Sequence, residues 1–309
     1  MVNLVFKIRN KLINVFNIFF NFLLNNYQLY FIKLVSKMYV SARGLDIIFE
    51  SFPVDQEIIV ETEHDLRFIV NTNDKVIAKS IFITQKPWEI DLLKLVFNIL
   101  KDRKINFLLD VGANIGTVSI AATKLGYVKN CYAFEPEPLN YKYLKWNIFL
   151  NKFQKNILTF NVAVSNSSND LKYIHLSKNN YGDHQIIYDR KVKSKISVKS
   201  SKLDDYFDGL KKAKVLIFID VQGYETFVIK GAKKFLKIGT PILMEFWPYG
   251  IKKHSSEECF IDTLINNGKY QKIIDMKSPK LTLNFSRISL LKLFDKYRLK
   301  EDFTDLLVF

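Results

Sequence analysis

The segment Asp110-Val111-Gly112-Ala113-Asn114-Ile115-Gly116 combines a carboxylate with two glycines where an apolar run gives way to an amphipathic stretch. Glycine lets backbone come close to a ligand, and the start of a helix offers free amide donors. A second carboxylate, Glu135, ends the next apolar run. An acid in that place accepts hydrogen bonds from both hydroxyls of a ribose. Nicotinamide dinucleotides and S-adenosylmethionine share this geometry. Dinucleotide sites pack Gly-x-Gly-x-x-Gly against a pyrophosphate, whereas only Gly112 and Gly116 stand here, with Asp110 preceding them. An anion in that position repels a pyrophosphate and suits the ammonium of a methionine moiety. The turn therefore reads as a site for S-adenosylmethionine.

Further chemistry lies downstream. Asp220 stands near the end of the run Val215–Val221, and Glu245 near the end of Pro241–Phe246. Histidine occurs at 64, 175, 184 and 254. Of these, His184 sits in a polar loop with an adjacent acid, Asp183. A neutral imidazole titrating near pH 7 can take a hydroxyl proton, and Asp183 would orient it or bind the acceptor. His64, in a hairpin-like turn, and His175, on an expected strand, read as structural. Glu245 can contact an acceptor hydroxyl, and Trp247 and Tyr249 either stack on a sugar face or simply pack.

The elements that must position these residues alternate. Ile105–Val111 reads as a strand buried on both faces, and Ile115–Leu125 as a helix. Strand Asn130–Phe134, helix Pro138–Asn151 and strand Ile157–Val164 follow. Val215–Val221 is the next strand, then helix Glu225–Leu236, strand Pro241–Phe246 and helix Ser256–Asn267. Strands near Tyr270–Asp275 and Asp305–Phe309 finish the chain. Such alternation predicts an α/β fold with a doubly wound, mostly parallel sheet. An insertion at 165–202 interrupts it, with strand-like Leu171–Leu176 and Ile196–Ser200 around a polar loop, where such folds place ligand-binding loops. Upstream, residues 57–84 suggest short strands (Glu57–Val60, Leu66–Val70), and Trp88–Leu100 reads as a helix after Pro87. The segments are thus 1–45, 46–104 and a catalytic part at 105–309.

Lys and Arg total 46 against 31 acids, a net charge of +15, which attracts anionic partners without choosing among them. Two cysteines, Cys131 and Cys259, make neither a metal cluster nor a disulfide framework, so no metal is expected and a reducing, cytoplasmic setting is the default. Residues 1–45 carry six basic residues and no acid. Within them, Asn14, Asn17, Asn21, Asn25 and Gln28 line one helical face. Burying those amides in hydrocarbon is costly, so a spanning helix is not expected, nor is a secretory signal. Two alternatives stand for residues 1–40: packing on the domain or a homodimer partner, or lying on the inner face of a membrane.

In order, the chain also shows Phe134-Glu135-Pro136, Asn147 and Asn151, Ala163-Val164-Ser165, Leu203-Asp204, Ile219-Asp220-Val221-Gln222-Gly223-Tyr224-Glu225, Lys230-Gly231-Ala232 and Glu245. With the Asp110–Gly116 turn, this resembles the FkbM family of methyltransferases over roughly residues 75–250. The resemblance implies a class I, Rossmann-like, seven-stranded sheet with an antiparallel last strand. It also implies methylation of a hydroxyl on a sugar, glycan or small metabolite. Carried over, Asp110, Gly112, Asn114, Gly116, Glu135 and Asp220 would hold S-adenosylmethionine, and Asn161-Val162-Ala163 would lie beside the adenine. Asn180–Ile186 is similar to a signature of a subset of the family, which supports His184 as general base. Asp220 would face the methyl-transfer site with Asp183 and Glu245. The family usually has Glu and often His where Gln222 and Tyr224 stand, which weakens any metal-holding role for this segment. Two alternatives remain. A nucleic-acid methyltransferase suits the charge but lacks an Asn/Asp-Pro-Pro-aromatic turn after the fourth strand. A non-catalytic S-adenosylmethionine-binding fold is the other.

Overall fold

The computed structural model describes residues 42–188, 194–210 and 213–309. The amphipathic helix and the membrane or dimer contact expected of residues 1–40 lie outside the described residues. Helix Ala42–Ser51 belongs to a unit spanning Met1–Phe52, and a second unit spans Pro53–Phe309. The second unit holds the hairpin region together with the part from residue 105 onward.

Within it, β1 (Glu57–Thr62) and β2 (Leu66–Asn71) form an antiparallel hairpin. Asn147 pins this hairpin: its Oδ1 accepts from the Ile69 amide at 2.7 Å, and its Nδ2 donates to the carbonyls of Ile69 and Ile115. Asn151 does the same for Arg67 one helical turn later. Residues 77–84, expected to be strand-like, form helix Ile77–Thr84 instead. Asp74 decides this, because its carboxylate accepts from the amides of Val76, Ile77 and Ala78 and so satisfies a helix start. The same turn buries Ile77, Ala78, Ile81 and Phe82 at helical spacing. Helix Ile90–Ile99 follows, shorter than expected at its start.

The main sheet contains β3 (Phe107–Val111), β4 (Asn130–Phe134), β5 (Ile157–Phe160), β10 (Val215–Ile219), β11 (Ile242–Phe246), β12 (Lys272–Asp275), β13 (Thr282–Asn284) and β14 (Thr304–Val308). Their order is β13-β12-β14-β11-β10-β3-β4-β5. From β5 to β11 all neighbours are parallel; β14 runs antiparallel between β11 and β12. The seven-stranded, mostly parallel sheet of a class I methyltransferase is therefore present, and the short β13 adds an eighth strand at one edge. Every residue of β3 and β10 is buried, as strands covered on both faces require. Because β3 leads outward to β4 and β5 while β10 leads the other way to β11, the switch point falls between β3 and β10. Ligands in such sheets bind at that crevice, outside the carboxyl ends of the strands.

Three differences from the sequence reading bear on the site. The expected strand Ile157–Val164 breaks at Asn161, whose Nδ2 donates to the carbonyls of Glu135 and Pro136 at 2.8 and 2.9 Å. Its continuation, β6 (Ala163–Val164), joins β7 (Leu171–His175), β8 (Gln185–Ile187) and β9 (Lys195–Ser201) in a separate small sheet ordered β6-β9-β7-β8. The expected helix Glu225–Leu236 is two, Glu225–Lys230 and Lys233–Lys237. A side chain at Gly231 would collide with the Ser165 carbonyl, so the interruption is where the chain after β6 touches the helical layer. Helix Arg287–Lys296 was not apparent from the sequence.

Candidate active site

Register brings the chemical residues to one edge. Val111 lies opposite both Phe134 and Ile219, and Phe134 opposite Phe160, so the residues following these strands fan out side by side. They border a cleft of about 860 Å³ lined by Asp110, Gly112, Asn114, Glu135, Ala163 and Asp220, with Val162 and His184. Two expected residues are absent from its wall. Gly116 starts the following helix, and Asn161 spends its amide holding the Glu135–Pro136 backbone.

Gly112 has a positive φ of 86°, and a Cβ there would run into the Asp220 carbonyl. The glycine is thus required by the approach of two protein loops, not only by a ligand. It lets the turn after β3 nest against the turn after β10. The turn is further fixed by Glu135, whose Oε2 accepts from the Asn114 amide and Oε1 from the Glu137 amide, both at 2.8 Å. Burial pushes the Glu135 carboxyl up to about 8, against those two donors. Asp110 accepts through Oδ2 from the amide and hydroxyl of Ser119, and burial raises its carboxyl to about 7.

Two buried oxygens on this wall have no hydrogen-bond partner among the described residues: Oδ1 of Asp110 and Oδ1 of Asn140. Buried acceptors are normally satisfied. A ligand presenting an ammonium and further N–H or O–H donors would satisfy both, so the residues present fit S-adenosylmethionine.

The insertion closes one side of the cleft. The Tyr181 carbonyl accepts from Nδ2 of Asn114 at 3.1 Å and from Nδ2 of Asn140 at 2.8 Å. Its hydroxyl accepts from Asn73, and the Lys75 amide donates to the Asn179 carbonyl. His184 stands two residues beyond Gly182. Its Nδ1 accepts from the Ser177 amide at 3.0 Å, so in the neutral ring the proton sits on Nε2. Burial pushes the imidazole down to about 4, despite the opposing pull of Asp183. In this arrangement His184 is a hydrogen-bond donor, which does not suit the general-base role expected of it.

A second, larger cavity adjoins the first. Ile77, Trp88, Glu89, Gly182, Asp220 and Gln222 line both. The outer cavity adds Asp183, Glu245 and Asp305, with Trp247 and Phe303 as aromatic walls. Tyr249, expected to stack there with Trp247, does not line it. Gln222 bridges two of the acids: its Nε2 donates to Asp220 Oδ1 at 2.8 Å and to Glu245 Oε2 at 3.2 Å. A glutamate at 222 would set a third negative charge between them, so the departure noted at this position replaces repulsion with two hydrogen bonds. Glu225 lies behind the loop, fully buried, and its Oε1 accepts from the Val221 and Gly223 amides. It holds the Asp220–Tyr224 turn rather than facing a ligand. Tyr224 is buried with its hydroxyl 3.0 Å from Ser165 Oγ.

Burial raises Asp220 to about 6 and Asp305 to about 7. Glu89 and Glu245 are pushed well above the carboxylate range, by burial first and then by the neighbouring acids. Glu245 and Asp305 are direct cross-strand partners on β11 and β14. Like charges in that relation are destabilising. Glu89 and Asp305 were not singled out from the sequence: an acid at a helix start reads as a cap, and an acid on the last strand reads as solvated.

A sequence profile described as the Methyltransferase FkbM domain matches residues 110–272. No curated protein matches the chain. Among solved structures, a methyltransferase FkbM from Methylobacillus flagellatus KT is 14% identical, with 75% of this chain and 53% of that one covered and a TM-score of 0.43. The chain therefore spans about half the length of that relative. M. jannaschii TYW2 in complex with AdoMet is 15% identical, over 83% of this chain and 86% of that one, at a TM-score of 0.40. StiE O-MT residues 961–1257 are 11% identical, over 71% and 72%, at 0.41.

Proposed function

Because the chain belongs to the FkbM methyltransferase family, whose cofactor is S-adenosylmethionine, we propose that it methylates a hydroxyl of a sugar, glycan or small metabolite held in the outer cavity. The observation that carries this reading is the shared wall. A cleft suited to the methyl donor opens, across Trp88, Glu89, Asp220 and Gln222, into a cavity with acids and aromatics on its sides. Carboxyl groups paired with aromatic faces match the hydroxyls and apolar faces of a sugar ring.

When bound, the cofactor supplies an electrophilic methyl group. Asp110 and Asn140 would receive its donors, Glu135 would receive the ribose hydroxyls, and Val162 and Ala163 would flank the adenine. Asn114 and Gly112 shape the turn. His184, on the donor side with its proton on Nε2, would donate to an acceptor oxygen that reaches past the shared wall into the donor cleft. Asp183 and Glu245 would orient the acceptor from the outer side. Two lysines against six carboxyl groups line the outer cavity, so it lacks the row of cations that a phosphate backbone needs, despite the net charge of +15. Among the described residues no helix is long and apolar enough to cross a membrane. Mass spectrometry of methylated glycans and metabolites in cells with and without the protein tests the reading. Loss of an O-methylated species on deletion supports it. Calorimetry showing no binding of S-adenosylmethionine sinks it.

A further inference from the structure

We propose that Glu89, which lies outside the matched span 110–272, acts with Asp220 as the proton-accepting pair of the transfer reaction, in the place expected of His184. The proposal rests on the methyltransferase reading above. Six residues are common to the donor cleft and the outer cavity, and the methyl group must cross between the two where they lie. Glu89 and Asp220 are the titratable residues among those six. His184 lines only the donor cleft, and its Nδ1 lone pair is taken by the Ser177 amide. It therefore has no free lone pair for an incoming proton.

Glu89 is held in place by its backbone. It sits at the start of helix Ile90–Ile99 in a left-handed conformation (φ 62°, ψ 11°), and it lines the cleft beside Trp88. The charged groups facing it come from several elements: Asp220 after β10, Asp305 on β14, Asp110 on β3, and Glu245 on β11. Asp220 in turn faces Asp183 and the Gln222 amide. Lys253 and Lys300 line the outer cavity. Neighbouring buried carboxyls cannot all ionise, so the pair holds one proton between its members. Burial raises both carboxyls, and the acids facing each raise it further.

The proton balance is simple. The acceptor O–H bond breaks and an O–H bond forms on the carboxylate of the pair. The electron pair left on the acceptor oxygen makes the new bond to the methyl carbon, and the electrons of the old C–S bond stay on sulfur. Positive charge on sulfur and negative charge on the pair disappear together, so the buried site never carries an unbalanced charge.

Binding tests this without knowledge of the acceptor. S-Adenosylmethionine and S-adenosylhomocysteine share every group that Asp110 and Glu135 would contact, and differ by one methyl and one positive charge. Calorimetric affinities for both would be measured from pH 5.5 to 8.5 for the protein, E89Q, D220N and H184A. The preference for the cation should rise about tenfold as the pair ionises, which corresponds to a one-unit change in its titration. E89Q should move that rise to lower pH, D220N should abolish it, and H184A should superimpose on the unaltered protein. In cells lacking the protein, H184A should restore a reduced amount of the methylated product and D220N none. A preference that does not change with pH, or an E89Q profile identical to that of the unaltered protein, overturns the proposal while leaving the methyltransferase reading intact. Failure of the unaltered protein to bind S-adenosylhomocysteine overturns both.

Discussion

Replacing Asp305 by Asn should make the protein more stable, and increasingly so as the pH rises. Asp305 lies directly across from Glu245 on the neighbouring strand, and burial, followed by the charge of Asp220, raises its carboxyl from 3.8 to about 7. The sign follows from linkage. Between those two values the folded protein holds a proton that the unfolded chain has lost, so stability falls as the pH rises through this window and levels off above about 7. At about 1.4 kcal/mol per unit, the displacement sets an upper bound of about 4 kcal/mol. Asp305 keeps some exposure and is partly offset by Lys277, so a single substitution should recover about 1–3 kcal/mol at pH 8. In a unit of this size that is about 2–10 °C in Tm. Calorimetric melting of both proteins at pH 4.5, 6 and 8 would show a gap that is small in acid and widens upward. A D305N protein that melts lower at pH 8, or a gap that does not shrink on acidification, refutes the account of the acidic wall.

Substituting Glu135 by Gln should weaken S-adenosylhomocysteine binding by about tenfold, because an amide NH2 replaces one of the acceptor oxygens and leaves a buried donor unpaired; unchanged affinity in calorimetry would remove the ribose assignment. H184A should lower methyl transfer, read as methylated product per cell, while leaving S-adenosylhomocysteine affinity within about twofold, since a donor to the acceptor oxygen contributes little to holding the cofactor. G231A should destabilise the fold by about 1–3 kcal/mol, the usual cost of forced overpacking, because the added methyl meets the Ser165 carbonyl; a urea midpoint equal to that of the unaltered protein would count against the contact.

The catalytic framework was legible because its signals are local. Continuous apolar runs marked β3, β4, β10 and β11 to within a residue or two, and Asp110, Glu135 and Asp220 were placed by standing at the ends of those runs. What escaped depends on tertiary contacts. Residues 77–84 read as strand until Asp74 supplies three amides with an acceptor. The third strand appeared continuous because the side chain of Asn161, not a proline or glycine, marks where the chain peels away. Helix Arg287–Lys296 was obscured by exposed Ile288 and Leu291 beside buried Leu290, Leu293 and Phe294, which blur its apolar face. At the site, His184 was found by residue type, but which of its nitrogens is free depends on the Ser177 backbone. Glu89 and Asp305 gain their character only when the fold sets them against other acids.

The carbonyl of Tyr181, which receives both Asn114 and Asn140, has a consequence for engineering. The insertion at 165–202 is the obvious cassette to exchange between relatives when a new acceptor is wanted. It is not a free cassette here. Its tip is fastened to the donor-side turn by the side-chain amides of Asn114 and Asn140, and to the hairpin region through Asn73. A transplanted insertion would need to offer a carbonyl at the same point, or Asn114 and Asn140 would lose a partner and the turn they steady would loosen. Acceptor redesign is better begun at Phe303 and Asp305, where the wall of the outer cavity can change without disturbing that fastening.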